Sequence, residues 1–193
     1  AGVAPPLGRA LRSASLPLSF AQERMWFLDQ LEPGSAAYNL PGAVRLRGDL
    51  FGAALAAALA EIVRRHEALR TTFPPTTGGL VQVIAPALSL PLSVADLAGL
   101  PAGPRAAELA RLAGAEAARP FDLARGPLLR TALLRLAREE HVLLLTLHHV
   151  VADGWSMGVL VRELGESYAA FAAGRAPILP ELPVQYADYA LWQ

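Results

Sequence analysis

Cysteine and lysine are both absent from the 193 residues, so all 17 basic side chains are arginines. Without cysteine there is no thiolate nucleophile, disulfide frame, iron–sulfur cluster or thiolate zinc site. Without lysine there is no Schiff-base chemistry and no phosphate loop closing on Gly-Lys-Ser/Thr. Charge itself is scarce: 18% of residues are charged, against about 25% in an ordinary soluble domain. The arginines are scattered and matched by 17 acids, so the basic patch that nucleic acid or an anionic membrane would need is missing, and neither partner is expected. An uncharged stretch, Thr71 to Ala95, is long enough to span a bilayer but is broken by Pro74, Pro75, Gly78, Gly79, Pro86 and Pro91, which excludes a membrane helix. No secretion signal is recognisable at the N-terminus, and residues 1–15 read as a linker or tail.

What is abundant is apolar surface. Hydrophobic residues make up 53% of the chain, which implies either a large core or an apolar face that something covers. Ser19 and Gln22 stand at capping-box spacing before a helix carrying Met25, Trp26 and Leu28. Val44 and Leu46 alternate with Arg45 and Arg47, predicting a strand with one wet face. Asp49 is placed to cap an alanine-rich helix from Phe51 to Ala68, with Leu55, Leu59, Ile62 and Val63 on one stripe. Short strands at Leu69 to Phe73 and Leu80 to Ile84 are able to pair, and a second alanine-rich helix runs from Ala106 to Ala118. Leu128 to Leu136 and Val142 to Leu147, joined by the short polar connection 137–141, predict an antiparallel hairpin whose second strand is central and buried on both faces. A helix from Ser156 to Ala173 follows, with Met157, Leu160, Val161 and Leu164 as its apolar stripe, and Tyr186 to Trp192 begins another. No internal repeat is visible. The order predicts an α/β (α+β sandwich) fold, a mixed and largely antiparallel sheet flanked by helices.

Chemistry concentrates where the buried strand ends, at His148-His149-Val150-Val151-Ala152-Asp153-Gly154. Neighbouring strand residues face opposite sides, so if His149 opens into a cavity, His148 points away and needs a partner in the core. The plain alternative makes both histidines polar caps on a strand end. His148, His149 and Asp153 are also zinc-ligand types. Adjacent histidines diverge, however, and only His66 and His141 remain to complete a site, so no metal is expected. Asp153-Gly154 alone signals a turn, although the carboxylate could instead pair with an arginine. Trp26, Trp155 and Trp192 read as packing residues, and Arg65, His66 and Glu67 as helix-end charges.

This segment resembles the His-His-x-x-x-Asp-Gly signature of the condensation domains of nonribosomal peptide synthetases, in the chloramphenicol acetyltransferase-like superfamily. The stretch from Ser19 to Leu28 is similar to the family's first motif, Arg65 to Phe73 to its second, and Tyr186 to Trp192 to its fourth. The resemblance implies that residues 16–193 are an N-terminal lobe, since family domains are about twice as long and built as two lobes around a channel. It also implies partners: donor and acceptor carrier domains, the C-terminal lobe and a neighbouring adenylation domain, in the cytoplasm. No cofactor would bind directly; phosphopantetheine arms of the carriers would deliver the substrates.

The implied reaction is amide formation, in which an acceptor aminoacyl amine attacks a donor acyl or peptidyl thioester. An amine with a pKa of about 8 is largely protonated at neutral pH, and a neutral imidazole is able to orient it and take its proton. By the resemblance His149 is the catalytic residue, as a base or as a positioner, while His148, Asp153 and Gly154 support it. In the family the aspartate pairs with an arginine, and the Gly154 amide is a candidate donor to the thioester oxygen. Cyclisation domains replace the histidines by aspartates and are excluded. Epimerisation domains need a glutamate from the second lobe, and the first motif here looks more like condensation. The segment from Trp26 to Ser35 looks like condensation domains that follow an epimerisation module. The remaining alternatives are a carrier-independent acyltransferase and a non-catalytic carrier-docking half-domain. An isolated lobe, with one wall of the channel, is expected to be inactive.

Overall fold

The computed structural model describes residues 6–12, 16–77 and 79–193. The tail predicted over 1–15 therefore lies partly outside the described residues, as does Gly78. The protein is built around the strand that sequence marks as fully apolar. Leu143, Leu145 and Leu147 are sealed on one face of that strand, and Val142 and Leu144 on the other, which only an interior strand permits. With β1 (Asn39–Arg47), β2 (Thr71–Thr72), β3 (Pro75–Thr76), β4 (Gly79–Leu80), β5 (Val83–Ile84), β6 (Leu92–Asp96) and β7 (Leu129–Ala137) preceding it, it is β8 (Glu140–His148). The main sheet has the order β1-β8-β7-β6. β8 is antiparallel to both neighbours, with Asn39 opposite His148 and Leu129 opposite Leu147, while β6 runs parallel to β7. Outside it, β2 pairs with β5 and β3 with β4, as the two short apolar runs suggest.

Helices cover both faces. α2 (Gly52–Arg65) and α4 (Gly154–Ala172) pack on one, where Leu55, Leu59, Ile62, Leu160 and Leu164 meet the inner leucines of β7 and β8. α3 (Ala102–Ala118) covers the other through Leu109, Leu112 and Ala113. Removing each such leucine side chain from water contributes about 2 kcal/mol. α1 (Phe20–Leu31) starts on the predicted capping box, with the Ser19 Oγ accepting from the Gln22 amide at 3.2 Å and the Gln22 Oε1 accepting from the Ser19 amide at 2.9 Å. α5 (Tyr186–Trp192) is the last element.

Three expectations need correction, and one strand is new. α2 is not capped by Asp49: its cap is Phe51, without a side-chain bond. Nor does it reach Ala68, because His66 is extended and residues 67–70 form a 3₁₀ turn. The reason is Gln185, which donates to the Arg65 carbonyl at 2.9 Å and accepts from the Glu67 amide at 3.0 Å, so both backbone groups are satisfied outside the helix. The parallel strand β6 has no counterpart in the sequence reading. On α4, Val161 is 38% exposed, whereas Glu163 lies in the buried face.

Candidate active site

At the end of β8 the two histidines separate. His148 is 2% exposed, with the rings of Tyr38 and Phe121 set edge-on to it at 6.3 and 6.0 Å. Its Nδ1 accepts the Val150 amide at 3.1 Å, which leaves the ring proton on Nε2. Burial, and secondarily the charge of His149, lower its pKa to about 4, so it stays neutral at physiological pH. Its partner is therefore its own turn and not a distant core group. His149 is exposed, and its backbone amide donates to the Tyr38 carbonyl at 2.9 Å. The turn is closed by the Val151 amide on the His148 carbonyl at 3.1 Å.

Asp153 is the N-cap of α4. Its Oδ1 accepts the Ser156 amide at 2.8 Å and the Ser156 hydroxyl at 2.6 Å. These two bonds, aided by His149, hold its carboxyl below the usual range against the opposing effect of burial. Among the described residues no arginine pairs with it, and its bonds are those of a helix cap on Ser156. Gly154 opens the helix, and a Cβ there would meet nothing within 4 Å. Its amide is in the first turn, where no carbonyl of the helix can reach it.

Sequence reasoning missed the supports behind this turn. The Arg130 guanidinium lies 3.7 Å from the Phe121 ring centre and is tied to Glu116 and to the carbonyls of Glu116, Arg119 and Pro120. It fixes the ring that packs on His148. Nothing short-range in the sequence links Arg130 to the motif, so only the hairpin pairing of β7 and β8 reveals it.

The second motif does not reach the histidines by any bond. Arg65 Nε and His66 Nε2 both meet Glu163 Oε2, at 2.9 and 2.8 Å, and Glu67 pairs with Arg12 at 2.8 Å. The carboxyl of Glu163, pushed up by burial, is pulled below its ordinary value by His66 and Arg65. Of the tryptophans, Trp26 packs under the motif in the cluster around Phe73 and Phe121, and Trp192 stacks on Tyr189 at 6.2 Å. Trp155, read as packing, is 83% exposed in the first turn of α4 and lines the cavity beside the motif. Among the described residues, no three His, Asp or Glu side chains gather as a metal site and no helix is long and apolar enough to cross a membrane. His141 lies at the far end of β8.

A cavity of about 250 Å³ opens beside the motif, walled by Leu147, Val151, Ala152 and Ser156 from its strand and loop, and by His66 and Gln185 across from them. His149 does not line it.

Residues 12–193 match the Condensation domain family. The chain belongs to the condensation domains of nonribosomal peptide synthetases. It is 53% identical over 92% of its length to the chondramide synthase of Chondromyces crocatus, of which it covers 5%. It is 49% identical over 92% of its length to the phosphinothricin tripeptide synthetase PhsC of Streptomyces viridochromogenes, covering 16% of that protein. Among solved structures, the X-domain from teicoplanin biosynthesis superposes with a TM-score of 0.84 at 38% identity, over 97% of this chain and 40% of that one. The starter condensation domain of rhizomide synthetase gives 0.81 at 29% identity, over 89% of this chain and 41% of that one. The chain thus spans about two fifths of these solved structures and a small part of its synthetase relatives, and the mixed fold with its mostly antiparallel sheet is the fold of the family.

Proposed function

We propose that this condensation-domain chain forms the histidine-bearing lobe of a two-lobed domain that joins a donor acyl or peptidyl thioester to an acceptor aminoacyl thioester. Carrier domains would present both through phosphopantetheine arms, with an adenylation domain nearby in the same synthetase. The observation that carries the reading is the division between the histidines: one buried, neutral and locked by its own turn, the other exposed on that turn. His149 takes a proton from the attacking amine or holds the amine in line. The C–N bond forms, the C–S bond breaks, and the departing thiol carries the proton away. The thioester is already activated, so alignment supplies much of the acceleration. The Gly154 amide donates to the carbonyl oxygen as negative charge develops on it.

The test is dipeptide formation by the intact synthetase with both carriers loaded, followed by mass spectrometry. His149→Ala is expected to lower the rate by about 100-fold or more with an unchanged melting temperature; a wild-type rate in this variant removes the assignment. A second reading has one observation in its favour. The teicoplanin X-domain, 39% identical to this chain with a TM-score of 0.84, has been solved in a complex with OxyB, so a domain of this shape also serves as a binding platform. Absence of amide product from the intact protein would favour that role. Transfer from a soluble coenzyme A thioester without carriers would favour a carrier-independent acyltransferase.

A further inference from the structure

The cavity beside the motif has a composition that selects its occupant. Its walls are mostly apolar, with Leu69, Leu160, Leu182 and Val184 completing the ring begun by Leu147 and Val151. Apart from the indole N–H of Trp155, which is 83% exposed, the polar residues that line it are already committed to the protein. His66 Nε2 is bonded to Glu163, the Ser156 hydroxyl to Asp153, the Gln185 amide to the backbone at 65 and 67, and the Tyr186 hydroxyl to Ser19 at 3.0 Å. A charged or strongly polar occupant would be desolvated there without a ready partner. An aliphatic one loses nothing. At about 250 Å³ the space is smaller than the roughly 300–1,000 Å³ of pockets that engulf whole drug-sized ligands, and so suits one side chain, not a pantetheine arm. It adjoins the reacting centre through a short relay: Ser156 lines it, Ser156 bonds Asp153, and Asp153 feels the charge of His149.

We infer that this cavity is a specificity subsite that receives the apolar side chain of one of the two reacting aminoacyl groups. The inference rests on the condensation reading for the identity of its ligand, while binding to the cavity is measurable without any reaction. Half-buried Val159 and Ala68 line it and hold no part of the histidine turn. The probes are pantetheine amides carrying a leucyl or a glycyl group, titrated by calorimetry into the intact synthetase. Leucyl is expected to bind about tenfold more tightly than glycyl, and Val159→Phe, which fills the space, to abolish that preference. Ala68→Leu fills the same space from the opposite wall and serves if Val159→Phe does not fold. Equal binding of both probes to the wild type, or a preference that survives both substitutions, overturns the subsite.

Dipeptide assays with leucine or glycine on the donor or on the acceptor carrier identify the source. The leucine-to-glycine product ratio is expected to fall, in the filled variants, only when leucine occupies the position that uses the cavity. A binding preference with no effect at either position removes the aminoacyl assignment. No amide product from any pair, with the binding preference intact, removes the condensation reading and leaves the cavity's apolar selectivity standing.

Discussion

His148 and His149 are the same residue type one position apart, and their surroundings give them opposite character. Strand alternation makes such a divergence legible from sequence, but the consequence that sets His148 apart comes from residues scattered along the chain: Tyr38, Phe121 and the Val150 amide. A neutral ring in this setting links stability to pH. The folded-state pKa of about 4 lies below the ordinary 6.5, so the unfolded chain takes up the proton first and the folded state loses stability as pH falls through that interval. The loss should approach about 3 kcal/mol by pH 4. Urea denaturation at pH 7.0 and pH 4.5 reads it, with His148→Asn as the control, since asparagine does not titrate and its Oδ1 is able to accept the Val150 amide. The variant should lose less stability than the wild type between the two pH values; parallel losses would place the acid sensitivity elsewhere. What stayed hidden at this scale was Arg130, whose contact with Phe121 depends on tertiary pairing and leaves no local pattern.

α4 shows how far an element can be read from its residues. Gly174 adopts φ +67 and ends the helix, with the Arg175 amide reaching the Ala170 carbonyl at 2.9 Å and the Gly174 amide the Phe171 carbonyl at 3.0 Å, a Schellman closure that glycine accommodates at low cost. The start was less legible, because Asp-Gly reads as a turn and its role as an N-cap depends on Ser156 three residues on. Asp153→Ala should cost about 1 kcal/mol and Asp153→Asn much less, as seen in thermal melts near neutral pH; equal losses would show that the carboxylate's charge, not its capping oxygen, is what matters. The interior of α4 misled for a different reason. Hydropathy places Val161 inside and Glu163 outside, and the structure reverses them because Arg65 and His66 converge on the Glu163 carboxylate. A periodicity argument has no access to a partner 98 residues away. β6 escaped for yet another reason: it is a five-residue edge strand with a mostly exposed surface, too short and too wet to carry a strand signal.

On the scale of the whole molecule, the separate sequence motifs form one polar junction. Arg12 bonds Glu67 at 2.8 Å and Asp188 at 2.6 Å, the Ala10 amide also reaches Asp188, and Gln185 joins the start of α5 to the end of α2. Arg9 adds bonds to the carbonyls of Leu182 and Pro183 at 2.6 and 3.1 Å. The stretch read as tail is thus fastened, over its described residues, to the last helix, and the junction carries the Gln185 and His66 walls of the cavity. Burial pushes the Asp188 carboxyl up, but Arg12 and the amides of Ala10 and Gln185 outweigh it and bring the pKa to about 2. That value is below the ordinary 3.8, so the junction's contribution is complete above about pH 4 and is lost as pH falls toward 2. At neutral pH, Asp188→Ala should destabilise by about 2 kcal/mol, since it leaves buried donors unpaired. A double-mutant cycle with Arg12→Ala separates the ion pair from the helix cap: a coupling of about 1 kcal/mol would mean that the N-terminal segment and α5 are held as a unit. In that event Arg12→Ala, although it touches neither histidine, should also weaken the leucyl preference of the cavity by loosening its Gln185 wall. A coupling near zero would assign Asp188 to capping α5 alone and leave the cavity's shape to its apolar walls.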